Sequence, residues 1–166
     1  MRLGILGDTH DKVDRTRAAV KTLVDSGAEV LVHCGDITIP EVVYELAPLP
    51  SHFVFGNCDF ELPDLRHAIS AIGGNCLERG GFIELDGRRL AVTHGDSARE
   101  LSRLTAEHPD YLFSGHTHQP LDVLQGPTRF INPGALHRAT TWTVAFLDLA
   151  SGHVEMLPIR DTVMRA

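Results

Sequence analysis

Cysteine is scarce in this 166-residue chain, and its three cysteines, Cys34, Cys58 and Cys76, form no C-x-x-C pair. An odd number without such a pair indicates neither a disulfide framework nor a structural zinc knot. The sequence also lacks any apolar run approaching the ~18 residues that a membrane span needs, and its first residues show no signal-peptide pattern. Together these absences predict a reduced, cytoplasmic protein.

Basic residues are also fewer than acidic residues. Lysine and arginine number 15 against 22 aspartates and glutamates, which gives a net charge of −7 with neutral histidines. A general basic footprint for nucleic acid is therefore absent. The hydrophobic fraction of 43% and the charged fraction of 22% are those of an ordinary globular protein. The length predicts a single domain over residues 1–166.

Histidine, by contrast, is well represented, and two histidines stand out by their position. Gly115-His116-Thr117-His118 follows an apolar run from Tyr111 to Phe113 that is typical of a buried strand. In extended backbone, side chains at i and i+2 leave on the same side, one pleat repeat apart. That separation suits one ligand to each of two ions roughly 3.5–4 Å apart, the spacing of two-metal phosphoryl sites.

Other apolar segments also stop at polar clusters flanked by glycine. A helix that Asp14 would cap, running to about Ser26, separates the first two of these segments and predicts a βαβ unit with parallel strands. Asp8 and Asp36 should therefore meet at one edge of a sheet, where ligands bind in open α/β folds. The five clusters, in order, are Asp8/His10, Asp36, Asn57, His94 and His116/His118.

The remaining pattern predicts further helices and a run of hairpins. Helices are expected from Pro40 to about Ala47, within residues 60–74, and from about Ser97 to Glu107. His33 lies inside a predicted strand and is expected to be packed or hydrogen-bonded. The predicted hairpins pair residues 82–85 with 89–92, 121–124 with 128–131, and 141–149 with 153–159.

The side chains in the five clusters are imidazoles, carboxylates and one amide, without a thiolate among the ligand candidates. That mixture suits manganese, iron, cobalt, nickel or zinc in a hydrolytic site, rather than calcium or a structural zinc.

The ordered pattern D-x-H, G-D, G-N-x-x, H-G and G-H-x-H resembles the calcineurin-like metallophosphoesterases, over residues 3 to about 135. The short length and Gly56-Asn57-Cys58-Asp59 look most like the small prokaryotic phosphodiesterase branch, which includes relatives of a retromer subunit. The resemblance implies a four-layer α/β/β/α sandwich with two mixed sheets and two divalent metal ions at the strand ends, with manganese the first expectation. Carried over by motif, Asp8, His10 and His118 would hold the first ion, Asn57, His94 and His116 the second, and Asp36 would bridge both.

The activity that the resemblance implies is hydrolysis of small phosphodiesters by a metal-bridging hydroxide, with Asn57 neutralising charge on the phosphoryl oxygens. Cys58 stands where phosphomonoesterases of the superfamily commonly carry histidine, so it is a candidate catalytic position, with a buried small apolar residue as the alternative. Asp11, His137 and Arg138 are candidates to line the phosphate pocket, each with a structural or solvated role as the alternative.

Two other readings of the sequence stay open. A metal-poor interaction scaffold, the role of the retromer-associated relative, could lose ligands freely, whereas all seven positions here carry coordinating side chains. A phosphomonoesterase, including a protein phosphatase, is disfavoured by Cys58. Neither duplex nucleic acid nor a membrane is expected as a partner. Homo-oligomers are expected only by analogy with relatives.

Overall fold

The computed structural model describes residues 1–160, which contain four α-helices and eleven β-strands. The helices are α1 (Val13–Asp25), α2 (Pro40–Tyr44), α3 (Leu62–Ala71) and α4 (Ala98–Thr105). The strands are β1 (Arg2–Leu6), β2 (Val30–His33), β3 (Ser51–Phe53), β4 (Asn75–Cys76), β5 (Gly80–Leu85), β6 (Arg88–Thr93), β7 (Tyr111–Phe113), β8 (Leu121–Gln125), β9 (Thr128–Asn132), β10 (Thr143–Asp148) and β11 (His153–Pro158).

Both sheets of the described chain are mixed. The first has the order β11-β10-β1-β2-β3-β4, in which β1 to β4 run parallel and β10 pairs antiparallel to β1. The second has the order β5-β6-β7-β9-β8, in which β6, β7 and β9 run parallel. The predicted α/β fold with two mixed sheets is confirmed, and so is the parallel β1-α1-β2 unit.

Three apolar clusters fill the spaces between layers. Leu23 of α1 and Ile69 of α3 belong to a cluster against the first sheet, while Ile5 and Phe113 belong to a cluster shared by the two sheets. Strand β6 shows how alternation separates the clusters, since Leu90 and Val92 join the second cluster and Ala91 joins a third with Leu104 of α4. This succession supports the expected α/β/β/α layering.

Several boundaries differ from those expected. The helix α1 begins at Val13 with Lys12 as its N-cap, so the prediction that Asp14 caps it is wrong. Asp14 lies in the first turn instead, where its charge interacts favourably with the helix dipole. The helix α2 ends at Tyr44, earlier than expected, and β4 was not predicted. The expected start of the helix after β6 is confirmed, since Ser97 caps α4 by accepting a hydrogen bond from the Glu100 N–H.

Candidate metal centre

The polar clusters predicted from the sequence follow the carboxyl ends of strands in both sheets. In the first sheet they follow β1, β2 and β3, and in the second they follow β6 and β7. The two sheet edges come together at Asp36 and His94, whose Oδ2 and Nε2 atoms are 3.4 Å apart. The seven side chains predicted as metal ligands therefore gather at one edge shared by the two sheets.

The backbone at this edge is not extended. For His116 and His118, the expectation of two side chains on one extended segment is wrong, because both residues have left-handed φ angles beyond the end of β7. A left-handed non-glycine residue costs roughly 1–2 kcal/mol, so surrounding contacts must hold it. Backbone hydrogen bonds supply part of that support, for example from the His10 N–H to the Asp36 carbonyl at 2.8 Å. The left-handed ligand candidates are Asp8 (φ 49°), His10 (φ 47°), Asp36 (φ 56°), His116 (φ 67°) and His118 (φ 58°).

Asp8, His10 and His118 form the first group, with one ligand atom of each within 4.8 Å of the others. Asp8 Oδ1 lies 3.1 Å from His118 Nε2, but the angles do not make a hydrogen bond. Asp8 Oδ1 and His10 Nε2 are thus both buried without a hydrogen-bond partner. Burial raises the pKa of Asp8 to about 6 and lowers the pKa of His10.

Asp36, Asn57, His94 and His116 form the second group. Asn57 Oδ1 lies 3.1 Å from His94 Nε2, and the rings of His94 and His116 meet edge to face with centroids 5.1 Å apart. Burial acts to raise the pKa of Asp36, but bonding to His94 and to the Cys58 N–H holds it well below its usual range. Burial acts to lower the pKa of His94, but Asp36 outweighs it and raises that pKa to about 9.

The residues of both groups fit divalent metal ions. Unpartnered buried polar atoms cost free energy, and in the first group they face each other across a space bounded by carboxylate and imidazole. Asp8, Asp36 and His94 also bring ligand atoms within 4.8 Å, so the candidate groups overlap. Position 56, beside Asp36, requires glycine, because a Cβ there would overlap Asp36 Oδ1.

Cys58 lies inside the centre rather than in the apolar core. It is partly exposed, and its N–H donates to Asp36 Oδ1 at 2.8 Å. Its Sγ lies 3.4 Å from Asn57 Nδ2 and within 4.8 Å of ligand atoms of His10 and Asp36. Burial and then the Asp36 carboxylate raise the pKa of the thiol to about 11. The side chain is therefore a neutral thiol at neutral pH.

The three weaker candidates lie at different distances from the centre. The ring of His137 is 4.6 Å from that of His10, centroid to centroid, and burial lowers its pKa. Arg138 offers its backbone carbonyl 3.5 Å from His118 Nδ1, while its side chain is exposed. Asp11 is exposed and forms an ion pair of 2.5 Å with Lys12. The hydrogen bond from Lys12 lowers the pKa of Asp11. Asp11 also lines one end of a groove along α1.

Two buried polar side chains, Asp59 and His33, bond to loops of the centre, and the sequence predicted such bonds for His33 alone. Asp59 accepts four backbone N–H bonds, and only its place as the fourth residue of the Gly56-Asn57-Cys58-Asp59 motif pointed to it. His33 is hydrogen-bonded, as expected. Its Nδ1 accepts from the Gly35 N–H at 3.2 Å, and its Nε2 lies 3.0 Å from Thr9 Oγ1. Burial lowers the pKa of His33 to about 3, so it stays neutral.

Comparison with known proteins gives a consistent picture. The calcineurin-like phosphoesterase superfamily domain matches residues 1–152. A phosphodiesterase of Methanocaldococcus jannaschii is 30% identical over 139 residues, which cover 81% of this chain and 83% of that protein. The phosphodiesterase YfcE of Escherichia coli is 28% identical over 152 residues, covering 82% and 79%.

Solved structures agree with these relatives. A structure of an archaeal phosphodiesterase superposes with a TM-score of 0.88 at 26% identity, covering 96% of this chain and all of that one. A single mutant of Vps29 from Entamoeba histolytica superposes with a TM-score of 0.63 at 17% identity, covering 96% of this chain and all of that one, and shares the fold alone. Among residues 1–160, no helix is long and apolar enough to cross a membrane.

Proposed function

The chain belongs to the calcineurin-like phosphoesterase superfamily, and from that premise we propose that it is a binuclear metal-dependent phosphodiesterase acting on small phosphodiesters. The observation that carries the proposal is the overlap of candidate ligands at one sheet edge. Ligand atoms of Asp8, His10, Asp36, His94 and His118 fall into groups within 4.8 Å that share members, and Asp8 Oδ1 and His10 Nε2 are buried and unpartnered. Phosphodiesterase relatives at about 30% identity support the same reaction class.

Two divalent ions, with manganese proposed first, would be held by the two groups. Asp8, His10 and His118 would hold one and Asn57, His94 and His116 the other, with Asp36 shared between them. Such ions lower the pKa of a coordinated water and neutralise charge on a phosphoryl group. An imidazole must be neutral to coordinate a metal. Because Asp36 raises the pKa of His94, an ion at that residue would displace a proton on binding.

The other side chains of the centre would bind and orient the phosphodiester. The side-chain amide of Asn57 donates to Cys58 Sγ in this structure, and it would donate to a phosphoryl oxygen when substrate is bound. His137 lies beside His10, close enough to the candidate ligands to contact a substrate oxygen. The exposed side chain of Arg138 would attract the phosphate anion, since a guanidinium pairs well with phosphate oxygens.

The preference for a diester is argued from Cys58. A neutral thiol is a weak hydrogen-bond donor, so it neither protonates a leaving group well nor offsets the second charge of a monoester dianion. A diester carries one negative charge, so the site has no second charge to offset. A phosphomonoesterase is accordingly the second candidate. A metal-poor interaction scaffold is disfavoured, because all seven positions carry side chains that can coordinate a metal.

The test combines metal analysis with activity. We expect protein given excess manganese to bind two ions per chain and to hydrolyse bis(p-nitrophenyl) phosphate faster than p-nitrophenyl phosphate. Asp36→Asn should lose both, because it removes the shared carboxylate. Asp25→Asn, an exposed carboxylate paired with Lys21, is the matched control and should behave as wild type. A stoichiometry that never exceeds one ion would overturn the binuclear proposal, and a higher rate on the monoester would overturn the diester preference.

A further inference from the structure

Asp59 ties together two of the loops that carry candidate ligands. Its Oδ1 accepts from the N–H groups of Ile37 and Thr38, at 2.8 and 2.7 Å. Its Oδ2 accepts from the N–H groups of Asp36 and Gly56, at 3.1 and 2.7 Å. The side chain is 2% exposed, so one buried carboxylate serves four donors on the loops after β2 and β3.

The loop after β2 needs such a partner. Asp36 and Thr38 both have left-handed φ angles, of 56° and 71°, which the chain does not adopt without support. Successive N–H groups that converge on one point form a concave nest for an anion. Bonds from N–H groups to a carboxylate are about twice as strong as neutral ones. The negative charge of Asp59 therefore stabilises the backbone conformation from which the Asp36 side chain projects.

Asp59 also sets the distance between the two loops. Gly56 directly precedes Asn57, and Asp36 is the residue proposed to bridge both ions. The N–H groups of Gly56 and Asp36 both donate to Oδ2 of Asp59. Gly56 packs so closely on Asp36 that a methyl group there would overlap the Asp36 carboxylate. The loops that carry Asp36 and Asn57 are thus held together by backbone bonds to Asp59.

We propose that Asp59 is a positioning residue that assembles the second metal site by fixing Asp36 and Asn57 relative to each other. This inference rests on the proposed metal-dependent function. Asp59 makes no contact with substrate in this scheme and acts through the two loops. Changes to groups that orient metal ligands typically cost ~10–100-fold in metal affinity, and we expect a loss of that size here, confined to one of two binding steps.

The experiment is a manganese titration of the metal-free protein, followed by calorimetry and by the magnetic resonance signal of a coupled manganese pair. Asp59→Asn keeps the size but replaces one accepting oxygen by an NH₂ group, which then faces backbone donors. Asp59→Glu keeps the charge and shifts it by one methylene group. Asp148→Asn is the matched control, since Asp148 also accepts a turn N–H, that of Ala150, but is the last residue of β10.

We expect wild type and Asp148→Asn to bind two ions and to show the coupled signal. Asp59→Asn should bind one ion within about threefold of the wild-type affinity and the other ~10–100-fold more weakly, without the coupled signal at low manganese. Excess manganese should restore the signal and activity. Asp59→Glu should fall between wild type and Asp59→Asn.

Three results would overturn the inference. Equal affinities in wild type and both Asp59 variants would show that the loops hold their positions without this carboxylate. Failure of both variants to fold, judged by circular dichroism, would make Asp59 a determinant of folding rather than of the site. A wild type that binds fewer than two ions would overturn the proposed function itself, together with this inference, and is distinguished by the wild-type titration alone.

Discussion

At the scale of the residue, Cys58 is the side chain whose chemistry differs most from the metal ligands around it. Its thiol lies within 4.8 Å of ligand atoms of His10 and Asp36, and burial beside the Asp36 carboxylate raises its pKa. The same position would accommodate an imidazole that can donate a proton to a leaving oxygen. Under the proposed function, substrate choice between monoester and diester depends on this one side chain.

We predict that Cys58→His gains phosphomonoesterase activity. An imidazolium would protonate the leaving oxygen and offset the second charge of a monoester, and a positioned general acid is typically worth ~10²–10⁴-fold. The measurement is kcat/KM for p-nitrophenyl phosphate and for the matching diester, with metal content verified in both proteins. Cys76→His, at a partly buried cysteine on β4, is the control and should keep the wild-type ratio. An unchanged monoester/diester ratio in a fully metallated Cys58→His would show that Cys58 does not determine the preference.

At the scale of the element, the connection from β9 to β10 is attached to the start of α1. The guanidinium of Arg15 lies 3.2 Å above the ring centroid of Trp142 and donates to the Leu136 carbonyl. These contacts flank His137 and Arg138, the two residues proposed to approach the phosphate. The position of the connection relative to the metal ligands is therefore coupled to the helix that follows His10.

We predict that Arg15→Ala raises KM for the diester several-fold and leaves the manganese stoichiometry at the wild-type value. It also removes a cation–π contact and a charged hydrogen bond, which together should lower the free energy of unfolding by roughly 1–3 kcal/mol. Steady-state kinetics and urea unfolding measure the two effects. Arg17→Ala, which removes exposed ion pairs from the same helix, is the control and should change KM little. Loss of bound metal in Arg15→Ala would contradict the assignment to substrate positioning.

Much of this element arrangement could be predicted from the sequence, because glycine-flanked polar residues at the ends of apolar runs mark parallel strand ends. Asp8 and Asp36 were expected at one edge, and their loops are neighbours there. The backbone conformation of His116 and His118 was not predictable, since left-handed φ angles at non-glycine residues are held by tertiary contacts such as that of the His116 N–H with Asp8. The role of Asp59 was missed for the same reason, because three of its four donors come from the loop after β2.

At the scale of the whole molecule, the proposed ions join the two sheets. Removing metal should therefore destabilise the entire fold. A ligand at a hundred times its Kd stabilises by about 2.7 kcal/mol per site. For a chain of this size, each kcal/mol corresponds to about 2–4 °C in Tm.

We predict that protein treated with EDTA melts roughly 10–20 °C below protein saturated with manganese at both sites, at equal protein concentration. Differential scanning calorimetry measures the difference. Asp36→Asn should show little manganese-dependent rise, because the carboxylate shared by the two ligand groups is gone. Equal melting temperatures for the wild type with and without manganese would show that the ions, if bound, do not hold the sheets together.

The position of β1 has a consequence for synthesis of the chain. This strand lies between β2 and β10, and Leu3 is in register with Leu147. On a ribosome, the side of β1 that pairs with β10 stays open until residues 143–148 have been made, which takes on the order of ten seconds at ~5–20 residues per second. The nascent chain thus exposes an apolar strand edge that chaperones can bind. Loading of metal at Asp8 is expected to wait until His118, proposed to hold the same ion, has been made.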